Sequence, residues 1–526
     1  MNKILWCLLA GLLAVGCHAE PGQGKAGASQ VREPAVAGKF YPDDPVKLRA
    51  AIEGYLADAV TAVTEKPLAL IAPHAGIIYS GQIAADAYRQ VQDWDYDVVV
   101  IIGANHTGAN FDKVSVYASG AFRTPLGTTS IDEEVARRLI AADRDFVFEP
   151  SVHREEHSVE LQLVFVQVAL PRAKIMPIVV GRPDLDLCKR LGMAIAEAVK
   201  GRSALVVASS DLSHYPPYEG ALKSDAAVLR AAVTLDPRQF QEAARKGLTR
   251  GIPQLSTCAC GEAPIMAAMT AASAMEATRG VVVSYANSGD ALVGERNRVV
   301  GYGAVIFTTG SGGSDASVLD HLLPESVNGA LTGADHTALL AYARRCISRM
   351  LETETTPLPR GFSPVCYRTQ GAFVTLNKDG QLRGCIGHIT GDEPLGRAVG
   401  QMALQAAFSD PRFQPVTADE VDDLEIEISA LTQPRPIPGY QDIVIGRDGV
   451  IIHKGGRSAV FLPQVATEQG WSREEMLQQL CRKAGLAGDD WRRGADFLTF
   501  QAEVFGEEAP ASPPVGGSGA HSEETK

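Results

Sequence analysis

The sequence predicts an α/β domain followed by a smaller α+β domain. Between Pro34 and Thr308, short apolar runs alternate with stretches of helical periodicity, a pattern that favours a largely parallel sheet flanked by helices. After a stretch rich in Gly and Ser, the chain changes to one long helical segment, several adjoining strands and a late amphipathic helix. At 526 residues the chain is also too long for one ordinary domain.

Six apolar runs are predicted to form the main strands of the first domain, which spans residues 32–309. The runs cover residues 68–72, 97–102, 174–180, 203–208, 280–285 and 303–307. Helices are predicted between them, as in SGQIAADAYRQV and DEEVARRLIAAD, where apolar residues recur every three or four positions.

A linker, residues 310–329, is predicted to join the first domain to the second. The stretch TTGSGGSDAS, residues 308–317, predicts flexibility because Gly and Ser dominate it. The second domain, residues 330–506, begins with the helix TALLAYARRCISRMLE. It continues with strands in GAFVTLNKDGQLRGCIG and DLEIEISALTQP, and a later helix is predicted in SREEMLQQLCRKAG. Residues 507–526 are polar and rich in Gly and Pro, which predicts a disordered tail.

Residues 1–17 are predicted to be a signal peptide. Lys3 precedes an apolar run over residues 4–15, which is too short to persist as a membrane-spanning helix. The run ends in LLAVGC, which resembles a bacterial lipobox, so Cys17 is the expected lipidation site and residues 18–31 are the expected tether. We therefore expect an exported lipoprotein on the periplasmic side, attached to the membrane only through its lipid. Cleavage followed by secretion and a cytoplasmic location are the alternatives.

Charge and cysteine content narrow the class of protein. The formal net charge is −13 and no long basic run occurs, so nucleic acid is not an expected partner. Seven cysteines follow Cys17, an odd number whose spacing gives no disulfide framework. Unpaired thiols are unusual in exported proteins, so we expect these cysteines to pair, to be buried or to bind a metal.

Three of the apolar runs end in residues that commonly bind metals. His74 follows one run, His106 follows the next, and Asp211 and His214 follow a third. Ligands of open α/β sheets bind beyond the carboxyl ends of the strands, so these side chains are expected to converge. Two imidazoles with a carboxylate or thiolate suit a divalent transition metal.

Cys260 is the expected thiolate of this site. It stands just before an apolar helical run, where the helix dipole is expected to lower the pKa of a thiol. Cys258 is expected to be a small buried residue instead. A second cluster, Glu156 and His157 with Glu160, could support the site or could be an ordinary helix start.

Six motifs occur in order between residues 32 and 309: APHAGIIYSG, GANHTG, EEHSVELQLVF, SSDLSHY, CACGEAPI and SYANSGD. Together they resemble the Memo family, in the bacterial form called AmmeMemoRadiSam system protein B. The resemblance implies the fold of class III extradiol dioxygenases, which use non-haem iron(II). It implies metal ligands at His74, His106 and Cys260, and pocket residues at Asp211 and His214. The dioxygenases have a carboxylate in place of the cysteine, so ring cleavage does not follow.

The expected function is that of a dioxygenase-like metalloenzyme acting on a small or protein-bound substrate. Asp211, His214 and His157 are the expected proton-moving residues. Iron(II) is the expected metal, with copper or zinc as alternatives in an exported protein, because an iron–thiolate site is fragile under oxidising conditions. A non-catalytic metal-handling protein and a peptide-binding scaffold are the alternative functions.

In the second domain, Gly384 and Gly387 flank Cys385 within a strand pattern. Glycines in a strand indicate a bulge or a close backbone approach. Cys385, with its neighbour Arg383, is the candidate functional pair. A nucleophilic Cys385 would need a base, and His388 is the histidine near it in sequence. The alternative is a buried cysteine in a tight turn.

LRGCIG, AFSDPRF, LEIEISALTQPRPI, FLPQVATEQGW and LCRKAGL resemble the AMMECR family, or AmmeMemoRadiSam system protein A, over about residues 330–506. This resemblance supplies no activity. It implies that the two fused domains act together and that a radical SAM protein is a partner. The chain lacks a CxxxCxxC motif, so it is not itself the radical SAM enzyme.

Overall fold

The structure is a computed structural model that describes residues 31–507 except Thr64, Ala109 and residues 323–328. The predicted signal peptide, Cys17, the tether up to residue 30 and the tail after Glu507 lie outside the described residues. Within the described ranges, no helix has the length and apolar character needed to cross a membrane.

The first domain contains eleven strands and nine α-helices among its described residues. The strands are β1 (Val31–Arg32), β2 (Pro67–Ala72), β3 (Val98–Ala104), β4 (Val114–Val116), β5 (Ala121–Thr124), β6 (Gly127–Ser130), β7 (Phe146–Val147), β8 (Lys174–Val180), β9 (Ala204–Ser209), β10 (Arg279–Asn287) and β11 (Gly301–Thr308). The helices are α1 (Pro45–Ala57), α2 (Ile77–Arg89), α3 (Glu133–Ala142), α4 (Ser151–Arg154), α5 (His157–Ala169), α6 (Leu185–Ala198), α7 (Tyr218–Ala232), α8 (Pro237–Thr249) and α9 (Glu262–Ala274). Every strand run predicted for this domain is confirmed to within a few residues.

An eight-stranded sheet in the order β10-β11-β2-β9-β3-β8-β4-β7 forms the centre of this domain. Strands β2, β9, β3 and β8 run parallel to one another, and β11 and β4 pair antiparallel on either side of them. All seven residues of β3 are buried, as expected for a strand covered by helices on both faces. The prediction of a largely parallel sheet therefore holds at the centre of the sheet.

The strand order decides where the predicted site residues lie. Strand β9 pairs with β2 on one side and with β3 on the other. The segment after β9 carries Asp211 and His214, so it lies between the segment after β2, which carries His74, and the segment after β3, which carries His106. The three strand ends are thus direct neighbours at one edge of the sheet.

The stretch after β11 is more ordered than its composition predicts. Asp315 pairs with β10, because the amide of Val282 donates to the carbonyl of Asp315 and the amide of Asp315 donates to that of Gly280. A 3-10 helix, Ser317–His321, follows. The prediction of flexibility for residues 308–317 was wrong, since these hydrogen bonds hold the stretch against the sheet edge.

The second domain contains eight strands and four α-helices among its described residues. The strands are β12 (Gly371–Lys378), β13 (Gln381–His388), β14 (Leu424–Leu431), β15 (Arg435–Ile437), β16 (Gly449–Lys454), β17 (Arg457–Phe461), β18 (Asp496–Phe500) and β19 (Ala502–Gly506). The helices are α10 (Gly333–Thr353), α11 (Leu395–Phe408), α12 (Pro463–Glu468) and α13 (Arg473–Lys483). The strands form two four-stranded antiparallel sheets, β13-β12-β14-β19 and β15-β18-β16-β17, so the α+β prediction is confirmed.

Candidate metal centre

His74 lies just after β2 and is almost completely buried. Its backbone amide donates to Oδ1 of Asp211 at 2.8 Å, and the amide of Ala75 donates to the same oxygen at 3.2 Å. The carboxylate that follows β9 therefore holds the turn that follows β2. Burial and the neighbouring His106 lower the pKa of His74 to about 3, so this imidazole is neutral.

The hydrogen bonds behind His74 determine which of its nitrogens is free. Ser209 Oγ donates its only proton to the carbonyl of Ser158 at 2.7 Å and accepts from Gln162 Nε2 at 2.8 Å. It can therefore only accept from Nδ1 of His74, which lies at 2.9 Å. The proton of the neutral ring is thus on Nδ1, and Nε2 keeps the lone pair that a metal needs.

His106 is oriented in a similar way by Glu156. The carboxylate accepts from the ring Nδ1 of His106 at 2.8 Å and from its backbone amide at 2.7 Å. Burial alone would raise the pKa of Glu156, yet the hydrogen bond and charge of His106 lower it to about 2. Glu156 also begins α5, where it accepts from the amide of Ser158 at 2.9 Å. The two sequence interpretations of this cluster therefore both hold for Glu156.

His157 lies in the same space as the two predicted ligands. Its ring centroid is 4.7 Å from that of His106 and 5.3 Å from that of His74. Burial and the neighbouring imidazole of His74 lower its pKa to about 4. Phe40 packs edge-on against its ring at 5.1 Å between centroids. His157 is therefore a third imidazole at the site.

Glu160 belongs to a different cluster. Its carboxylate forms a buried ion pair with Arg32 and accepts from Tyr41 and from the amides of Ala35 and Val36. It ties the start of the domain to α5 and takes no part in the site.

Cys260 contributes a thiol beside His74. It lies before α9, and its Sγ is 3.2 Å from Nε2 of His74. Burial and the charge of Asp211 raise the pKa of its thiol well above the usual range. The expectation of a lowered pKa was wrong, because burial and a carboxylate outweigh the helix dipole. A bound cation would displace the thiol proton.

Asp211 and His214 line the same space. Oδ2 of Asp211 is 4.0 Å from Nε2 of His74, and burial raises the pKa of this carboxyl. Nε2 of His214 is buried and has no hydrogen-bond partner among the described residues. Burial lowers the pKa of His214, although the charge of Asp211 opposes the shift.

Two overlapping sets of ligand atoms can each surround one ion. The first is His74, His106 and His157, and the second is His74, Asp211 and Cys260; within each set the ligand atoms lie within 4.8 Å of one another. His74 belongs to both sets, and the predicted trio of His74, His106 and Cys260 takes members from each. The donors are imidazole, thiol and carboxylate groups, so the residues fit a transition metal such as iron, copper or zinc.

Sequence reasoning missed two residues that orient His74. Ser209 is the last residue of β9, directly before the predicted Asp211 segment. Gln162 is a fully buried polar residue on α5, whose buried side is otherwise largely apolar. A buried polar side chain on such a helix was the available signal, because it must find a hydrogen-bond partner.

Residues 32–306 match the family described as Memo-like protein. A MEMO1 family protein of Methanopyrus kandleri is 35% identical over 292 residues, which cover 53% of this chain and 99% of that protein. The chain belongs to the Memo family. A MEMO1 family protein of Aquifex aeolicus is 37% identical over 53% of this chain and 99% of its own length. Residues 340–505 match the family described as AMMECR1, so a Memo domain is fused to an AMMECR1 domain.

A solved structure of an uncharacterized protein from Pyrococcus horikoshii is 39% identical and covers 35% of this chain and 96% of its own chain, with a TM-score of 0.33. Another, from Escherichia coli K12, is 11% identical and covers 45% of this chain and 98% of its own, with a TM-score of 0.30.

The candidate pair of the AMMECR1 domain lies on the edge strand β13. Arg383 forms an ion pair with Glu420 at 2.9 Å, so its charge is already matched. The half-buried thiol of Cys385 accepts from the hydroxyl of Thr375 at 3.3 Å. His388 is three residues further along, and side chains three apart on a strand point to opposite faces. The structure therefore does not bring His388 to Cys385 as a base.

Close packing against neighbouring elements explains the two glycines, Gly384 and Gly387, on either side of Cys385. A Cβ at Gly384 would lie 2.3 Å from the carbonyl oxygen of Ala406 in α11. The expected close backbone approach is thus found at Gly384, where it comes from the helix that packs on the sheet, whereas a Cβ at Gly387 would lie 2.2 Å from the ring of Phe373 in β12.

Proposed function

We propose that the Memo domain holds a non-haem metal ion, with iron(II) as the physiological metal, and oxidises a small or protein-bound substrate with dioxygen. The observation that supports this proposal is the direction of the ring nitrogens. Nδ1 of His74 donates to Ser209 and Nδ1 of His106 donates to Glu156, which leaves both Nε2 atoms for a metal. The thiol of Cys260 beside His74 adds a soft donor, which favours iron or copper over magnesium or calcium.

Bound iron(II) would supply the redox chemistry with dioxygen that protein side chains lack. The chain itself would supply proton transfer. Oδ1 of Asp211 accepts two backbone amides, whereas Oδ2 lies towards His74 and can hold a proton. Nε2 of His214 is buried and has no hydrogen-bond partner among the described residues, so we assign Asp211 and His214 to proton movement at the substrate.

A non-catalytic metal-handling protein is the second candidate. The observation that favours it is the set of three imidazoles, His74, His106 and His157, which offers donors without the thiol. Such a set suits copper or zinc as well as iron. The two candidates differ in what His157 does: it is a proton-moving residue in the first and a ligand in the second.

The test is the metal content of the protein purified without air, measured by mass spectrometry together with oxygen consumption. We expect about one iron per chain, and loss of the metal in His74→Ala and in Cys260→Ala. The matched control is Cys258→Ser, because Cys258 lies two residues from Cys260 but contacts Ser224 at 3.4 Å instead of the site. Absence of stoichiometric metal from the unchanged protein would overturn both candidates.

His157→Ala separates the two candidates in the same measurement. If His157 moves protons, the variant keeps its metal and loses oxygen consumption. Loss of the metal would instead make His157 a ligand and favour the metal-handling candidate. Export, lipid attachment at Cys17, and the radical SAM partner stay predictions from the sequence.

A further inference from the structure

The loop between β10 and β11, residues 288–300, contacts both domains, and we call it the bridging loop. Its first part, residues 291–294, lies against α11 of the AMMECR1 domain. Its last part, residues 299 and 300, lies against the segment that carries His214. The loop therefore contacts both the second domain and the segment that carries His214.

One face of α11 holds the first part of the loop. Arg397 Nη2 donates to the carbonyls of Ala291 at 3.0 Å and Gly294 at 2.7 Å, and Gln401 Nε2 donates to that of Leu292 at 3.1 Å. Arg397 and Gln401 are four residues apart, so they lie on the same side of the helix. Three carbonyls of one short loop are thus bound by two side chains of the other domain.

The same face of α11 admits a side chain from the loop. Leu292 is buried and packs with Tyr342 and Cys346 of α10. A Cβ at Gly400 would lie 2.9 Å from Cδ1 of Leu292 and 2.8 Å from Cε1 of Tyr342, so glycine is needed there. The side chain of Arg397 is almost completely buried, and Glu393 forms an ion pair with it. This contact is built like a domain core and not like an exposed surface contact.

The other end of the loop pairs with the His214 segment. His214 forms antiparallel bridges with Val300 of the loop and with Thr257. Four backbone hydrogen bonds surround the first bridge. Before His214, the amide of Leu212 donates to the carbonyl of Gly301 at 2.8 Å, and the amide of Gly301 donates to that of Ser213 at 2.8 Å. After His214, the amide of Tyr215 donates to the carbonyl of Val299 at 2.7 Å, and the amide of Val299 donates to that of Pro216 at 2.9 Å.

We infer that the AMMECR1 domain positions His214 of the Memo domain through the bridging loop. Arg397 and Gln401 are positioning residues in this scheme, because they fix the loop and the loop pairs with His214 and with the backbone of the two residues after it. The inference rests on the proposed function only for the role of His214 in proton movement. The physical link is independent of any metal.

Other contacts between the domains provide the control. Arg349 donates to the carbonyl of Gly54 at 2.6 Å and pairs with Asp58 at 2.9 Å. These partners lie at the C-terminal end of α1, and neither belongs to the bridging loop. Arg349 therefore joins the domains without contacting the loop, and its removal tests the effect of weaker domain contact alone.

Hydrogen exchange of the full chain, followed by mass spectrometry, tests the inference. Arg397→Lys keeps a cation near Glu393 but lacks the fork that binds two carbonyls. We expect the amides of residues 212–215 to exchange about tenfold faster in this variant, and about threefold faster in Gln401→Ala, because both release the loop. Arg349→Lys is expected to leave these amides unchanged, and the amides after β3 should be unchanged in all three variants.

The inference is overturned if residues 291–294 exchange faster in Arg397→Lys while residues 212–215 do not change, or if Arg349→Lys accelerates residues 212–215 to the same degree. If Arg397→Lys does not fold, Gln401→Ala decides the question, since Gln401 is only partly buried. The measurement is repeated on protein stripped with a chelator. The same result there separates this inference from the proposed function, which needs the metal.

Discussion

The strand ends of the Memo domain and the Cys385 segment of the AMMECR1 domain, residues 383–388, both carry residues typical of active sites, but they use them differently. At the strand ends, Ser209 and Glu156 accept from Nδ1 of two imidazoles, and Nε2 of His74 faces the thiol of Cys260 at 3.2 Å. In the Cys385 segment, Arg383 pairs with Glu420 and the backbone of Cys385 pairs with two side chains, while His388 points to the other face of the strand. Reactive residue types thus indicate a site only where the structure brings several of them close together, as it does at the strand ends.

The Cys385 segment shows this pairing clearly. Asp410 accepts from the amide of Cys385 at 2.9 Å, and Arg412 donates to the carbonyl of Cys385 at 3.0 Å. Arg412 also pairs with Asp410 at 2.7 Å. These two side chains come from the AFSDPRF motif. They pair the backbone amide and carbonyl of Cys385, which no neighbouring strand among the described residues pairs on that side of β13. We interpret the two motifs together as a clamp that covers an edge strand.

Two buried aspartates extend the comparison to electrostatics. Asp225 of the Memo domain accepts from Ser213 and Tyr285, both at 2.9 Å, and burial raises its pKa to about 7. Asp410 of the AMMECR1 domain pairs with Arg412, which lowers its pKa. The Memo domain therefore holds a carboxyl that resists ionisation, whereas the AMMECR1 domain holds one that favours it.

The largest expected effect is the pH dependence caused by Asp225. Its pKa is about 7 in the folded protein and about 4 when unfolded, so folding retains a proton between these values. The contribution of Asp225 to the free energy of unfolding is therefore greatest below pH 4. It is lost as the pH rises to 7, and the loss is on the order of 4 kcal/mol.

Urea denaturation of the Memo domain between pH 4 and pH 8 measures this contribution. Asp225→Asn cannot ionise, so we expect its free energy of unfolding to fall less with pH than that of the unchanged protein. Asp236→Asn is the control, because that aspartate caps α8 at the surface and its pKa is lowered instead. Equal pH slopes for Asp225→Asn and the unchanged protein would contradict the raised pKa.

The next effect concerns the group that orients His106. Glu156→Gln removes the negative charge of the group that accepts from Nδ1 of His106. We therefore expect metal affinity to fall by about 10- to 100-fold while the fold is kept. Competition with a chelator of known affinity measures the change. Glu155→Gln is a matched control on an exposed neighbour, and an equal loss of affinity there would mean that general charge, not orientation, is responsible.

The smallest effect is expected in the Cys385 segment. Asp410→Ala leaves the amide of Cys385 without its acceptor, so we expect the AMMECR1 domain to lose about 1–2 kcal/mol of stability. Metal content should not change, nor should it change in Cys385→Ala. Thermal unfolding followed by circular dichroism, with metal analysis on the same samples, checks both points. Loss of metal in either variant would make the Cys385 segment part of the metal centre and break the comparison.

The sequence predicted those site residues whose position follows from the direction of the strands. His74, His106, Asp211 and His214 each follow a buried strand, and the carboxyl ends of neighbouring parallel strands meet at one edge. The pKa of Cys260 was predicted in the wrong direction. Proximity to a helix start is visible in the sequence, but burial beside Asp211 is not.

The sequence by itself determined the strands of the Memo sheet, the two domains and the residues at the three strand ends, because these depend on local apolar patterns. Only the tertiary structure decided that Gln162 and Ser209 fix the tautomer of His74, that Arg412 and Asp410 cover Cys385, and that Arg397 binds the bridging loop. Each of these contacts joins residues that lie far apart along the chain or on different elements. Their geometry depends on how helices pack on sheets, which no local pattern encodes.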